Sequence, residues 1–168
     1  MENILKNDGR LEYIVAEMLI RNKLTISTAE SCTGGMVAER LISYPGISEV
    51  YLEGAIAYSN EAKVKRLMVK EETLKRYGAV SEETAREMVS GIAKESGSKV
   101  AIATTGLAGP GGGSIDKPVG LVYIGVYIND EIIVKKFNFS GERDEIRNKT
   151  TISALDFLRE EMLARQYM

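Results

Sequence analysis

Residues 100–106, with the sequence VAIATTG, restrict the fold of this chain more than any other segment. They form a continuous apolar run, which is the pattern of a strand buried on both faces of its sheet. Such a strand needs helices packed against each face, because a solvated face would show alternating polar residues. At 168 residues, the chain can bury a substantial core without disulfides or metals. The segment therefore predicts an α/β fold.

Helices and strands alternate before and after this segment. Apolar residues at helical spacing predict helices, which cover about residues 9–22, 33–43, 61–69, 70–77 and 81–97. Residues rich in β-branched and apolar side chains predict strands over 24–30 and 51–59. Ser59 and Ser81 each precede a predicted helix and are good N-cap residues, and Gly97 is typical of a helix end.

The carboxyl-terminal part of the chain has the pattern of a β-hairpin followed by a helix. An Asn-Asp dipeptide at 129–130 separates strand-like residues 120–128 from strand-like residues 131–141, and a final helix is predicted over about 144–165. These elements predict a three-layer α/β/α sandwich around a mixed, mostly parallel sheet with a carboxyl-terminal antiparallel hairpin. No repeat or linker interrupts the pattern, so we expect one domain over residues 1–168.

The composition excludes the commonest catalytic and metal sites. The chain has no histidine and one cysteine, so it can hold neither a Ser-His-Asp triad nor a zinc site built on histidines or on several thiolates. Carboxylates could still hold magnesium, but we expect no metal and no cofactor. A net charge of −2 gives no overall basic surface for nucleic acid, and no apolar run is long enough to span a membrane. Residues 1–10 are polar, unlike a signal peptide, so we expect a cytoplasmic protein.

Three loops follow predicted strands and are expected to meet at one edge of the sheet. They are AESCTGG (29–35), AYSNEAK (57–63) and TTGLAGPGGGS (104–114). Ligands of open α/β sheets bind beyond the carboxyl ends of the strands. The glycine-rich loop matches neither the P-loop nor the Rossmann pattern. Its glycines could let a ligand approach backbone N–H groups closely, or the segment could simply be a surface loop.

The first two loops contain a candidate nucleophile and a candidate base. Without histidine, Ser31 needs another base, and serine-lysine pairs are an established alternative. Lys63 is the best-placed lysine, provided that burial keeps it neutral. Tyr58 could relay the proton or hold the lysine, or be an ordinary strand aromatic. Ser31 could instead be a helix cap, and Cys32 is a rival nucleophile that we rank lower because no histidine would make it a thiolate.

Two arginines near the carboxyl terminus form a candidate anion site. Arg143 and Arg147 are four residues apart, so they lie on one face of a helix that begins by Arg143. Paired guanidinium groups can grip a phosphate or a carboxylate. The alternative is a surface network of ion pairs with neighbouring acidic residues, which are Glu142, Asp144 and Glu145.

Taken together, the motifs resemble the CinA C-terminal domain family. The resemblance runs from about Thr25 to Arg147 and is carried by AESCTGG, AYSNEAK, GAVSEETA, TTGLAGPGGGSIDKPVG and FSGERDEIR, in the order and spacing of the family. Longer members carry an additional amino-terminal domain similar to molybdopterin-binding proteins. The chain resembles the free-standing form without it.

The resemblance implies a nicotinamide-nucleotide amidohydrolase, which converts nicotinamide mononucleotide and water to nicotinate mononucleotide and ammonia. It assigns Ser31, Lys63 and Tyr58 to catalysis. We expect substrate binding by residues of the same loops and the last helix, which are Glu30, Thr33, Gly34, Gly35, Asn60, Thr105, Gly106, Gly109, Gly112, Arg143 and Arg147. We also expect a homo-oligomer, a dimer or higher. Two alternatives are a nucleotide-binding module without turnover and a hydrolase of another small amide.

The expected mechanism is acyl transfer. Neutral Lys63, directly or through Tyr58, deprotonates Ser31, which attacks the carboxamide carbon. Backbone N–H groups between Thr33 and Gly35 stabilise the oxyanion. The substrate phosphate is expected at the two arginines and at the glycine-rich loop, residues 106–113.

Overall fold

The computed structural model describes residues 10–168, which contain a mixed five-stranded sheet in the order β2-β1-β3-β4-β5. The strands are β1 (Ile26–Glu30), β2 (Tyr51–Ile56), β3 (Val100–Gly106), β4 (Leu121–Ile128) and β5 (Glu131–Asn138). Strand β1 is parallel to β2 and β3, while β4 is antiparallel to β3 and β5. Only β4 therefore runs against the others, which confirms the predicted mixed sheet and hairpin.

Six α-helices within the same residues confirm the predicted alternation. They are α1 (Leu11–Arg21), α2 (Met36–Ile42), α3 (Asn60–Leu67), α4 (Glu71–Tyr77), α5 (Glu82–Ser96) and α6 (Arg143–Ala164), with a short 3₁₀ helix at Ile47–Glu49. The first residue predicted for α1 and most of the polar amino-terminal segment lie outside the described residues. None of the helices in residues 10–168 has the length and apolar character needed to cross a membrane.

The sheet separates two hydrophobic cores, which makes the fold the predicted three-layer sandwich. Helices α1, α2 and α6 cover one face, where their apolar residues pack with Ile26 and Ile102. Helices α3 and α5 cover the other face, where the strands present small residues such as Ala101 and Ala103. Small side chains allow close packing, and Gly91 of α5 shows how close: a Cβ atom there would lie 1.8 Å from a carbonyl oxygen of α3.

The helix caps and the hairpin turn agree with the predicted local chemistry. The Ser59 and Ser81 hydroxyls each accept a hydrogen bond from a backbone N–H in the first turn of their helix. Gly97 ends α5 in the left-handed conformation. Asn129 and Asp130 have φ angles of 46° and 73°, the positive values that a tight two-residue hairpin turn requires.

Strands β1 and β2 end level with Thr104 of β3, which continues to Gly106, and this alignment brings the three loops to one edge of the sheet. Glu30 at the end of β1 pairs with Ile56 of β2 and with Thr104 of β3. The next residues continue the pattern, since the Ser31 amide donates to the Thr104 carbonyl at 3.0 Å and the Ala57 amide donates to the Glu30 carbonyl at 2.9 Å. The chain segments that follow β1, β2 and β3 therefore leave the sheet side by side.

Candidate active site

A cleft of about 260 Å³ lies where these segments meet. Its walls come from the loops after β1, β2 and β3, from the turn between α4 and α5, and from the start of α6. The lining residues are Ser31, Cys32, Tyr58, Lys63, Ala79, Val80, Thr105, Gly106, Leu107, Ala108, Gly109, Gly111 and Arg143. No carboxylate is among them. The cleft therefore suits a ligand that combines an apolar part with an anionic group.

Ser31 and Lys63 are in direct contact in this cleft. Lys63 Nζ lies 3.0 Å from Ser31 Oγ, and the two side chains are 1% and 8% exposed. Lys63 belongs to the first turns of α3, and its side chain points back towards the strand ends. The direct contact makes a relay through the Tyr58 phenol unnecessary for proton transfer between the two groups.

The hydrogen bonds around Nζ are compatible with a neutral amine. Nζ donates to the backbone carbonyls of Ala57, at 2.9 Å, and Tyr58, at 3.3 Å. Carbonyls can only accept, so they use both N–H groups of a neutral amine and leave its lone pair for the Ser31 hydroxyl. Among residues 10–168, no carboxylate forms an ion pair with Lys63. Burial without a counter-ion lowers the pKa of Lys63 from its usual value.

The neighbouring thiol is poorly suited to be the nucleophile. Cys32 is buried, and burial raises the pKa of its thiol to about 12. A thiol with this pKa stays protonated near neutral pH, and the thiolate is the reactive form. This supports Ser31 over Cys32 as the reacting group.

The carboxylate of Glu30 is directed away from the cleft, which corrects its assignment to substrate binding. It accepts hydrogen bonds from the Thr33 hydroxyl and from the amides of Gly35, Val37 and Ala38, at 2.6–3.1 Å. These amides are the unpaired donors at the amino-terminal end of α2, where a carboxylate is stabilising. Glu30 therefore holds the loop that carries Ser31.

The same interactions correct the assignments of Thr33, Gly34 and Gly35. The Thr33 side chain is fully buried against Glu30 and Thr104, and none of the three residues lines the cleft. The amides of Gly34 and Gly35 are already bonded, to the Ser31 carbonyl and to Glu30, so they cannot serve an oxyanion. In contrast, no oxygen within residues 10–168 accepts from the amides of Cys32 and Thr33.

Tyr58 and Arg143 form a bridge across the mouth of the cleft. One Arg143 nitrogen donates to the Tyr58 hydroxyl at 3.1 Å, and another donates to the Gly109 carbonyl at 2.7 Å. The Tyr58 side chain is 64% exposed, and Arg143 is also exposed. Both acceptors are uncharged, so an anionic ligand could replace them at the guanidinium group.

Arg147 lies one helical turn further along α6, outside the lining of the cleft. Its guanidinium group donates to the carbonyls of Cys32 and Thr33, both at 3.2 Å, and pairs with Asp144 at 3.4 Å. The predicted pair of arginines is thus divided between two roles. Arg143 faces the cleft, whereas Arg147 supports the loop behind the nucleophile and also forms part of the ion-pair network considered as the alternative.

The glycine-rich loop lines the cleft at Gly106 and Gly109 as predicted, but Gly111 lies there in place of Gly112. Gly109 has a φ of +80°, and its carbonyl faces Arg143. Thr105 lines the cleft, but its hydroxyl is committed to the Ala79 carbonyl at 2.7 Å. Asn60 is exposed at the start of α3 and does not line this cleft.

Sequence reasoning missed the wall formed by Ala79 and Val80 and the lysine that holds it. Lys117 of the glycine-rich loop donates to the carbonyls of Tyr77 and Val80, and thereby joins this loop to the turn before α5. No spacing rule indicates this contact, because it joins segments 37 residues apart in the chain. The only local signal is the short apolar Ala79-Val80 pair between Gly78 and Ser81.

Within residues 10–168, no group of three or more histidine, cysteine, aspartate or glutamate side chains is arranged to hold a metal ion.

Comparison with known proteins relates the chain to one family. The profile of the CinA C-terminal domain matches residues 8–162. A competence-damage inducible protein of Clostridium perfringens is 60% identical over 152 residues, which are 90% of this chain and 37% of that protein. One of Clostridium botulinum is 62% identical over 149 residues, which are 89% of this chain and 36% of that protein. The chain thus spans little more than a third of the length of these relatives.

Solved structures give the same relationship. A CinA superfamily protein from Klebsiella pneumoniae is 35% identical with a TM-score of 0.88, over 92% of this chain and 96% of that chain. A competence/damage inducible protein from Agrobacterium tumefaciens is 39% identical with a TM-score of 0.84, over 90% of this chain and 96% of that chain.

The lowered pKa of Lys63 predicts a pH-dependent contribution to stability. Unfolded lysine has a pKa of about 10.4, so between the folded pKa and about 10.4 the unfolded state binds more protons than the folded state. The free energy of unfolding of the wild type, relative to Lys63→Met, should therefore rise with pH in this range, by up to about 1.4 kcal/mol per pH unit. Urea unfolding at several alkaline pH values measures it.

Lys65→Met is the matched control, because Lys65 lies on the same helix with a side chain that is 77% exposed. The difference in free energy of unfolding between the wild type and Lys65→Met should not rise with pH in this way. If the difference in free energy of unfolding between the wild type and Lys63→Met is constant with pH, the pKa of Lys63 is the same in the folded and unfolded states.

Proposed function

This chain belongs to the CinA C-terminal domain family, and we propose that it hydrolyses the carboxamide of nicotinamide mononucleotide to give nicotinate mononucleotide and ammonia. The observation that carries the proposal is the 3.0 Å contact between Ser31 Oγ and a buried Lys63 amine that has no counter-ion among the described residues. A serine beside a neutral lysine is an established arrangement for acyl transfer.

In the first step, Ser31 attacks the amide carbon while Lys63 takes the hydroxyl proton. The lone pair of the neutral amine points to Ser31, because the Ala57 and Tyr58 carbonyls accept its two N–H groups. No rotation of either side chain is required before transfer. The two carbonyls also stabilise the lysinium ion that forms, since each can accept one of its protons.

The tetrahedral oxyanion is stabilised by a backbone amide beside the nucleophile. We assign this role to Cys32, which lines the cleft and whose amide has no oxygen acceptor within residues 10–168. The residue after a serine nucleophile commonly supplies one such donor. Arg147 supports the arrangement, because its hydrogen bonds to the Cys32 and Thr33 carbonyls restrain the peptide groups of this loop.

The leaving group and the second half-reaction use the same lysine. Lysinium 63 donates its proton to the amide nitrogen as the C–N bond breaks, which releases ammonia and leaves an acyl ester on Ser31. Neutral Lys63 then takes a proton from water, whose oxygen attacks the ester. Collapse of this second intermediate returns the proton to Ser31 Oγ and frees the acid product.

The cleft walls suit a pyridine nucleotide. Ala79, Val80 and Leu107 offer apolar surface for the ring, and Arg143 offers a cation for the phosphate. A phosphate would take the place of the Tyr58 hydroxyl and the Gly109 carbonyl on the guanidinium group, exchanging two neutral acceptors for a charged one.

If the proposal is correct, the purified protein releases ammonia from nicotinamide mononucleotide. Ser31→Ala and Lys63→Met should each lower kcat by about 10²–10⁴-fold or more, because they remove the nucleophile and the base. Cys32→Ala should retain activity within about tenfold, since its protonated thiol takes no part. A coupled ammonia assay with thermal unfolding of each variant separates lost chemistry from lost fold.

The outcomes of this assay discriminate among the functions considered. Binding of the nucleotide without ammonia release would identify a nucleotide-binding module. Release from free nicotinamide at an equal rate would identify a hydrolase of another small amide.

Replacing each of the two arginines by alanine should change different kinetic parameters. Arg143→Ala should raise KM for the nucleotide by about 10–100-fold, the value of a charged hydrogen bond, and leave the dephosphorylated riboside unaffected. Arg147→Ala should lower kcat for both substrates, because it disturbs the nucleophile loop. Steady-state kinetics with both substrates measures this, and an Arg147→Ala defect confined to the phosphorylated substrate would reverse the two assignments.

A further inference from the structure

We propose that the acid product, nicotinate mononucleotide, binds this site with uptake of one proton by Lys63 and thereby inhibits the enzyme more strongly as the pH falls. This inference rests on the proposed function, because it takes the product carboxylate to be formed beside Ser31. It adds a second state of the Ser31–Lys63 pair, one that binds product and cannot perform catalysis.

The number of hydrogen bonds at Nζ distinguishes the two states. Three oxygens surround Nζ at hydrogen-bond distance: Ser31 Oγ, the Ala57 carbonyl and the Tyr58 carbonyl. In the neutral amine, two N–H groups serve the carbonyls and the serine hydroxyl donates to nitrogen. In the ammonium ion, the third proton is donated to Ser31 Oγ. The hydrogen bond between serine and lysine then runs in the opposite direction.

This reversal decides what the serine hydroxyl can bind. When Lys63 is neutral, the only hydrogen of Ser31 Oγ is used by Nζ, so the oxygen is ready to attack but offers no donor. When Lys63 is charged, the same hydrogen is free to bind an acceptor in the cleft. A carboxylate is the acceptor that gains most, because its charge also lies close to the ammonium ion.

The described residues that line the cleft with Lys63 include no carboxylate. Of the groups that face Lys63, Cys32 comes from the β1–α2 loop, Tyr58 from the β2–α3 loop and Arg143 from α6. The Cys32 thiol is protonated, because burial raises its pKa to about 12. The turn before α5 and the glycine-rich loop present only Ala79, Val80, Leu107, Ala108 and glycines to the cleft. No carboxylate of the described residues lines the cleft, so the product carboxylate would be the only anion beside Lys63, while the product phosphate lies at Arg143.

Each turnover also ends with the product carboxylate beside protonated Lys63. The overall reaction of the amide with water gives the carboxylic acid and ammonia. The acid is far stronger than lysinium, so its proton passes to Lys63, and the result is a carboxylate beside an ammonium ion. Departure of the product leaves a buried cation without a partner, and the cation returns its proton to solvent when the pH is above its pKa in the free protein.

The linked proton makes product affinity depend on pH. Above the pKa of Lys63 in the free protein, each bound product takes up one proton, so the association constant should fall by about tenfold per pH unit. The same change should appear as competitive inhibition of ammonia release that weakens at high pH. The uncharged carboxamide of the substrate gains nothing from protonation of Lys63 and should lack this linkage.

Isothermal titration calorimetry of nicotinate mononucleotide with the wild-type protein tests the inference directly. Titrations at pH 7–10, in pairs of buffers with different ionisation enthalpies, measure both affinity and protons taken up. We expect close to one proton per product at the alkaline end. Lys63→Met should abolish proton uptake and weaken binding by about 10–100-fold at neutral pH.

Lys65→Met is the control for loss of a lysine on the same helix, since its amine is exposed and paired with Glu61. It should bind product with the wild-type affinity and proton uptake. Binding by the wild type that is independent of pH and of buffer, or a Lys63→Met variant that still takes up a proton, would overturn the inference.

Failure of the proposed function has a different signature. If the wild type binds nicotinate mononucleotide with proton uptake but releases no ammonia from the amide, the carboxylate site stands and the amidohydrolase assignment falls. If ammonia is released but product binding lacks a linked proton, the amidohydrolase stands and only this inference falls.

Discussion

The structure around the cleft depends on the burial of one amine without a counter-ion. Lys63 is 1% exposed, and its Nζ is surrounded by a serine hydroxyl and two backbone carbonyls. An ion in this position would lack the solvation that water provides, which is why burial lowers the pKa of Lys63. In the proposed mechanism, Lys63 takes the role for which many hydrolases use histidine, which this chain lacks.

The fold supplies this arrangement through parallel strands and one buried carboxylate. Because β1 and β2 end level with Thr104 of β3, the loops that begin at Ser31 and Ala57 leave the sheet beside the last residues of β3. Glu30 then fixes the loop after β1 by accepting three backbone amides and the Thr33 hydroxyl. Arg147 holds the same loop from α6. Ser31 is thus positioned by interactions made behind the cleft.

Periodicity and turn chemistry were enough to predict the layers, the hairpin and the Ser31–Lys63 pair, because each depends on local spacing or on the rule that strand ends gather loops. The positions of the other candidate residues depend on side-chain direction, which periodicity does not give. Glu30 and Gly35 stand next to the nucleophile in sequence but bond to each other across the start of α2. Arg143 and Arg147 share a helix face, yet one turn of helix separates the cleft from the loop behind it. Lys117 acts through contacts that only the tertiary fold creates.

The most direct test of the central claim is an NMR titration of the Lys63 side chain in protein labelled with ¹³C at lysine Cε, assigned by comparison with Lys63→Met. The Cε chemical shift reports protonation of the attached amine. The account predicts that Lys63 titrates clearly below the usual lysine value of about 10.4, while the exposed lysines titrate near it. A Lys63 resonance that titrates together with the exposed lysines would contradict the account.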